Sequence, residues 1–345
     1  MSDDQYIPAG LPEMVASSFD LGEPISDLVP IQVGVHESWR LDTSRGSFMV
    51  KRLWRGQDPS WRSEFETSME LERRALESGL AIAVPVEPLR AHFGWASRIE
   101  RHGVWRVYEW VDHTTRSNAE VDARWFGETL AQLHRLFPLG DRFEPEWRWL
   151  GVYPQDQWLH WLDAARRSGQ QWAPTVQTGL GHIEAITNRI RLLYTEAPDH
   201  IVSHRDLGPW NVLHTPDQPI LIDWENAGPT TAWAELGRAI TAFGGDSVLR
   251  MKNLFQAYRE AAGIAAGEPQ HLFNWHLTQA LSQITERIKI AVGDLDEEDD
   301  PNPIWMDAST IDEDIANAVT ALPSKADELI AAASDVAAQG ARTDC

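Results

Sequence analysis

Apolar and polar side chains alternate with a period of two over residues 31–41 and again over 46–53. Asp42-Thr43-Ser44-Arg45-Gly46, between them, has the composition of a turn, so the pattern predicts a β-hairpin with Lys51 in the middle of its second strand. A helix is predicted over 60–78, a strand over 83–89, and a further hairpin from 98–100 and 104–111, which ends in Tyr108-Glu109-Trp110-Val111. From Ala119 the period turns helical, with Phe126, Leu130 and Leu133 on one face up to His134. Residues 138–154, rich in Pro, Gly and aromatics, read as an irregular connector between this helix and two more at 155–167 and 179–195. A short apolar strand at 219–222 leads into Asp223. Beyond it the pattern is helical at 233–243, 247–262, 268–292, 307–321 and 325–339, broken by an acidic, Pro-containing loop over 294–303. There is no internal repeat.

This order, strands with one helix followed by helices, is α+β. At 345 residues the chain is long enough for two lobes, each with its own core, and 43% apolar with 24% charged side chains is a globular composition. Cys345 is the only cysteine, which excludes an intramolecular disulfide and points to a reducing compartment. The polar, acidic start (residues 1–10) lacks the apolar stretch of a secretory signal, and no apolar run is long enough to span a bilayer. A cytoplasmic protein, with no membrane partner, is expected. The net charge of -22 is uneven: residues 1–112 hold 12 basic and 18 acidic side chains, the remainder 18 and 34. Such a field repels nucleic acid and anionic membranes and attracts cations, although acidity also serves solubility alone.

The chemistry is concentrated in Ser203-His204-Arg205-Asp206-Leu207-Gly208-Pro209-Trp210-Asn211-Val212-Leu213, followed by Ile222-Asp223-Trp224. Phosphoryl transfer needs a carboxylate facing the attacking hydroxyl and oxygen ligands that hold Mg2+ on the nucleotide phosphates. An Asp, an Asn five residues later, an apolar strand and a second Asp supply these in the order of a catalytic loop and a metal-binding loop. A short His-x-Asp alone would match by chance. His200, His204, Asp206, His214 and Asp223 could instead form a metal-hydrolase cluster, but that reading leaves Asn211 and Lys51 unused.

These residues resemble the aminoglycoside phosphotransferase family, small-molecule kinases that share the protein-kinase fold. Ser203 to Leu213 and Leu221 to Glu225 carry the strongest likeness; residues 34–53, Tyr108 to Val111 and the helix from Leu130 to His134 extend it over most of 30–245. The chain departs from the family in having Arg205 between His204 and Asp206, and Glu235 where an Asp is usual. The resemblance implies a two-lobed kinase-like fold, with a nucleotide-binding lobe over 1–112 and a helical catalytic and acceptor-binding lobe over 113–345. It implies ATP or GTP as phosphoryl donor and Mg2+ held by Asn211 and Asp223. Asp206 would be the general base and His204 a brace for its loop. Lys51 would contact the α- and β-phosphates and pair with a helix glutamate, Glu70 by its spacing from Pro85, with Glu66 the alternative. Backbone groups of Glu109 and Val111 would meet the base. There is no G-x-G-x-x-G, so a phosphate-covering loop near Gly34 to Ser38 is implied by the family alone.

The implied acceptor is a small molecule bearing a hydroxyl, and the acidic C-terminal part suits a cationic antibiotic of the aminoglycoside kind. Seventeen tryptophans bear on this. Trp158 and Trp161, three apart on a helix, sit near Trp147, Trp149 and Trp172 in sequence; core packing is their default role and an aromatic wall for a cationic acceptor the alternative. Glu225, Asp246 and Glu286 are candidate amine contacts. A kinase of choline, homoserine, a sugar or a nucleoside-like metabolite would carry the same motifs, whereas a nucleotide-binding protein without turnover would be expected to lose one of Lys51, Asp206, Asn211 and Asp223. Oligomeric state is not written in the sequence.

Overall fold

The computed structural model describes residues 8, 10–32, 37–53, 56, 58–114, 121–140, 145, 147–195, 200–262, 272–295 and 306–337. In chain order its elements are α1 (Leu11–Ser18), β1 (Val29–Gln32), β2 (Glu37–Thr43), β3 (Gly46–Leu53), α2 (Pro59–Glu77), β4 (Ser97–Ile99), β5 (Gly103–Glu109), α3 (Ala123–Leu136), α4 (Gln155–Ser168) and α5 (Ala173–Thr195). There follow β6 (His200–Ser203), β7 (Val212–His214), β8 (Pro219–Leu221), β9 (Gly228–Thr231), α6 (Ala232–Gly244), α7 (Val248–Ala262), α8 (Asn274–Val292) and α9 (Ile311–Ala337). Two compact units emerge: Met1–Glu120 with Arg135–Phe137 and Val202–Gly228, and Val121–His134 with Pro138–Ile201 and Pro229–Cys345. Residues 202–228, assigned from sequence to the helical lobe, therefore belong with the first unit.

The first unit is built on an antiparallel sheet in the order β1-β2-β3-β5-β4. Period-two alternation gives it two different faces. Trp39, Leu41, Val50, Trp105 and Val107 point to one face and form a core with Leu11, Val15 and Ala16 of α1. Leu53 and Val104 point to the other, where Phe65 and Met69 of α2 meet them. Lys51, Arg106 and Tyr108 share the α2 face with Leu53 and Val104, because Lys51 pairs with Arg106, Leu53 with Val104 and Met49 with Tyr108 across the strands. The strand expected at 83–89 does not join this sheet as a strand. Pro85 and Pro88 remove two donors, and only isolated bonds remain, such as Val86 N–H to Val107 C=O at 2.9 Å. Instead Ala83 N–H donates to the Leu221 carbonyl at 3.1 Å and Leu221 N–H to the Ala81 carbonyl at 2.9 Å, bonds that tie this segment to β8.

In the second unit α8 lies against α4, α5, α6 and α9. Leu277, Leu281, Ile284 and Ile288 form its fully buried stripe. Helix α5 begins at Ala173, six residues earlier than its expected start, and the helix pair expected at 307–321 and 325–339 is one helix, α9, with Pro323 inside it. Ile315, Val319, Leu322, Ala333 and Val336 bury one side of α9 along its length, and that packing outweighs the bond lost at the proline. No helix among the described residues is long and apolar enough to cross a membrane.

Candidate active site

The loop after β6 is held by contacts to its own backbone. His204 is fully buried; its Nε2–H donates to the Ile222 carbonyl at 2.9 Å and its ring lies 4.9 Å from that of Trp224. Arg205 takes a left-handed conformation, φ 57°, and its Nε donates to the Asn226 carbonyl at 2.7 Å. Its guanidinium lies so close to Gly228 that a Cβ there would stand 2.7 Å from Cζ. Arg205 thus links the loop after β6 to the segment after Asp223. Asn211, buried at the end of a short 3-10 turn, donates its side-chain N–H groups to the Asp206 carbonyl (2.8 Å) and carboxylate (3.0 Å). Ile222 N–H bonds the Asn211 carbonyl at 3.1 Å, which brings the Asp223 loop alongside Asn211.

Lys51 is 5% exposed and reaches two carboxylates: Asp223 at 2.5 Å and Glu225 at 2.6 Å. Glu225 also accepts from Arg106 at 3.1 Å, and Arg106 in turn forms an ion pair with Glu72 of α2. Burial pulls the Lys51 ammonium down, but the charges of Glu225 and Asp223 more than offset this and hold it above its ordinary value. Asp223 moves up as well: burial pushes it, Lys51 opposes, and the neighbouring Glu225 pushes further. Three carboxylates face two cations, so one carboxylate is under-compensated, and Asp223 is the most exposed of the three. Its backbone is left-handed as well, φ 67°, an unusual conformation for a residue with a side chain.

The helix partner expected for Lys51 is corrected. Glu70 bonds Arg73 and Arg74 at 2.7–2.9 Å, with Arg73 first in holding its carboxyl down at about 2, and Glu66 bonds Arg62 at 2.8 Å. Neither meets Lys51. The buried positions of α2 run 65, 68, 69, 71, 72 and 75, and Glu72, two residues and so about 200° round the helix from Glu70, lies on that stripe. A glutamate in register with an apolar face was the signal that could have found it. Glu225, considered as an acceptor contact, is instead buried between Lys51 and Arg106. Arg106 was not singled out at all.

Glu109 donates its N–H to the Val84 carbonyl at 2.9 Å, and the Val111 carbonyl accepts from His113 Nδ1 at 2.9 Å. A nucleotide base would thus be left the Glu109 carbonyl and the Val111 N–H, the groups their backbone still has to offer. Gly34 lies outside the described residues. Of the residues of the hydrolase alternative, His204 bonds the Ile222 carbonyl, and His200 Nε2 the Tyr194 carbonyl at 2.6 Å. Among the described residues no three His, Cys, Asp or Glu side chains gather to hold a metal by themselves. Magnesium asks for less, because it keeps waters and takes phosphate oxygens beside one or two protein ligands. Asn211 and Asp223 fit it by donor chemistry. The Asn211 nitrogen is used on Asp206, which leaves its oxygen, and the raised Asp223 carboxyl gains from a divalent cation.

In the second unit Trp158, Trp161 and Trp172 are core residues, as their default reading had it, and Trp161 Nε1–H donates to Asp294 at 2.6 Å. Trp149 differs. It is 41% exposed and lines a cavity of about 300 Å3 with Trp275, Gln279, Ser282, Gln283 and Glu286. Asp246 is exposed in the turn between α6 and α7.

Residues 27–273 match the sequence profile described as the phosphotransferase enzyme family. A spectinomycin phosphotransferase, solved with ADP and spectinomycin, superposes with a TM-score of 0.57 at 14% identity, covering 96% of this chain and 100% of that one. An amicoumacin kinase, solved with AMP-PNP, Ca2+ and Ami, gives 0.60 at 12% identity over 93% and 94%. At such identities the likeness is one of fold, the two-lobed, kinase-like α+β fold. The trifolitoxin immunity protein of Rhizobium leguminosarum bv. trifolii is 49% identical over 41 residues, a span that covers 12% of this chain and 16% of that protein.

Proposed function

This chain belongs to the phosphotransferase enzyme family, and from that premise we infer that it moves the γ-phosphoryl group of a magnesium-bound nucleoside triphosphate to a hydroxyl of a small, cationic, aminoglycoside-type molecule in the cytoplasm. The observation that carries the transfer is the Asp206–Asn211 pair, joined through Ile222 to the loop of Asp223 and Lys51. Asp206 accepts the acceptor's proton as the hydroxyl oxygen bonds to the γ-phosphorus and the bond to the diphosphate breaks. General bases contribute about 10²- to 10⁴-fold to such steps. Asn211 fixes the Asp206 carboxylate and shares the metal with Asp223. Magnesium, when bound, offsets the charge that builds on the leaving diphosphate. Lys51 binds the α- and β-phosphates and holds them in line.

The acceptor class is supported by the acidic composition beyond residue 112 and by the Trp149 cavity, where two indoles, four amide or hydroxyl side chains and Glu286 suit a ring that bears hydroxyls. The test is mass analysis of products after incubation with ATP or GTP and a panel of aminoglycosides, spectinomycin, choline, homoserine and simple sugars. Phosphorylation of a cationic antibiotic is expected. Phosphorylation of choline, homoserine or a sugar alone would replace the acceptor and keep the chemistry.

A further inference from the structure

We propose that Glu225 is the positioning residue of Lys51: it keeps the ammonium in place when Asp223 turns to the metal, and Arg106 and Glu72 keep Glu225 in place. The inference rests on the phosphotransferase reading and adds to it the source of the lysine's counter-charge, a carboxylate two residues beyond Asp223 rather than one on the helix.

The sheet register makes the case. Lys51 and Arg106 are direct cross-strand partners on one face of β3 and β5, and like charges so placed repel. An anion between them removes the repulsion, and Glu225 is that anion. Its two oxygens are divided, Oε2 to Lys51 at 2.6 Å and Oε1 to Arg106 at 3.1 Å. Its side chain is 1% exposed, so water cannot replace either partner. Asp223 differs in being 33% exposed, open to a ligand that approaches from solvent. Lys51 therefore has one fixed carboxylate and one exchangeable one. Glu72, 0% exposed, anchors the far side of Arg106, whose guanidinium also covers the Tyr108 ring at 4.8 Å. The chain Lys51–Glu225–Arg106–Glu72 thus joins the sheet, α2 and the segment after Asp223 through charged contacts alone.

Without Glu225, Lys51 would have only Asp223, and lysine and metal would compete for one carboxylate. The experiment is nucleotide binding by the full chain, without acceptor, as a function of Mg2+, for the wild type, Glu225→Gln, Lys51→Met and the double variant, with thermal unfolding of each. Glu225→Gln is expected to raise the Mg2+ needed for half-saturation about tenfold, in the range seen when a metal ligand's support is removed. Lys51→Met in the same chain is expected to cancel that rise, because the competitor is gone. An unchanged Mg2+ requirement in a folded Glu225→Gln protein would overturn the proposal, and so would a rise that persists without Lys51. Arg106→Lys, which keeps the charge but not the two-sided grip, serves if Glu225→Gln does not fold; the same rise and cancellation are expected. Wild-type turnover tests the phosphotransferase reading separately, and its failure would leave this binding experiment intact.

Discussion

Asn211 bonds Asp206 twice, at the carbonyl and at the carboxylate, so the side chain proposed to share the metal also sets the direction of the carboxylate proposed as base. Asn211→Ala removes both bonds. The account expects kcat to fall by about 10²-fold or more while the acceptor KM changes little, because the loss falls on interactions made at the reacting centre. Steady-state kinetics with saturating Mg2+ checks this.

Glu70 and Glu72 are two residues apart and have opposite surroundings, so their neutral analogues should behave differently. Glu70→Gln breaks exposed pairs with Arg73 and Arg74, a loss of up to about 1 kcal/mol. Glu72→Gln leaves Arg106 short of a buried counter-ion and is expected to cost about 3–5 kcal/mol. Urea unfolding of the two variants beside the wild type measures the difference; equal losses would place the helix the wrong way round.

His276 on α8 gives the fold a pH dependence. Burial first, then Lys325 and Arg238, hold its imidazole down at about 4, below the value of about 6.5 for an unfolded chain. Its Nε2–H donates to the Thr241 hydroxyl at 2.9 Å. The folded protein keeps His276 neutral while the unfolded chain takes up a proton below about pH 6.5. Its contribution is therefore complete above that pH and is lost as pH falls toward 4, by at most about 1.4 kcal/mol per unit. His276→Gln should lower the urea midpoint at pH 7 and make it fall less between pH 7 and pH 5.

Gly237 on α6 faces the chain just before α8, where an added Cβ would stand 1.7 Å from the Leu272 carbonyl oxygen. Backbone cannot swing aside as a side chain can. Gly237→Ala is expected to destabilise by about 1–3 kcal/mol, read from the urea midpoint, even though alanine favours helices.

The proximity of Asp206, Asn211 and Asp223 was legible because it is local: the three flank one hairpin, Asp206 and Asn211 just before β7 and Asp223 just after β8. Lys51 was legible from its place in an alternating strand. Its partner was not, because Glu72, Arg106 and Glu225 are distant in the chain and meet only when β3, β5 and α2 assemble. Charge normally reads as surface, and here a charged cluster is core. The strand expected at 83–89 failed for a simpler reason: its alternation is real, but two prolines cannot donate. The two last helices proved to be one because burial along α9 carries it through Pro323. Gly34 lies outside the described residues, so the loop implied around it stays an expectation.

The measurement that bears most directly on the central claim is nucleoside diphosphate release from Mg-ATP and Mg-GTP, with and without acceptors, for the wild type and Asp206→Ala. Release stimulated by an acceptor in the wild type, and lowered about 10²- to 10⁴-fold in the variant with nucleotide still bound, is the predicted result. Stimulated release that survives intact in Asp206→Ala would contradict it.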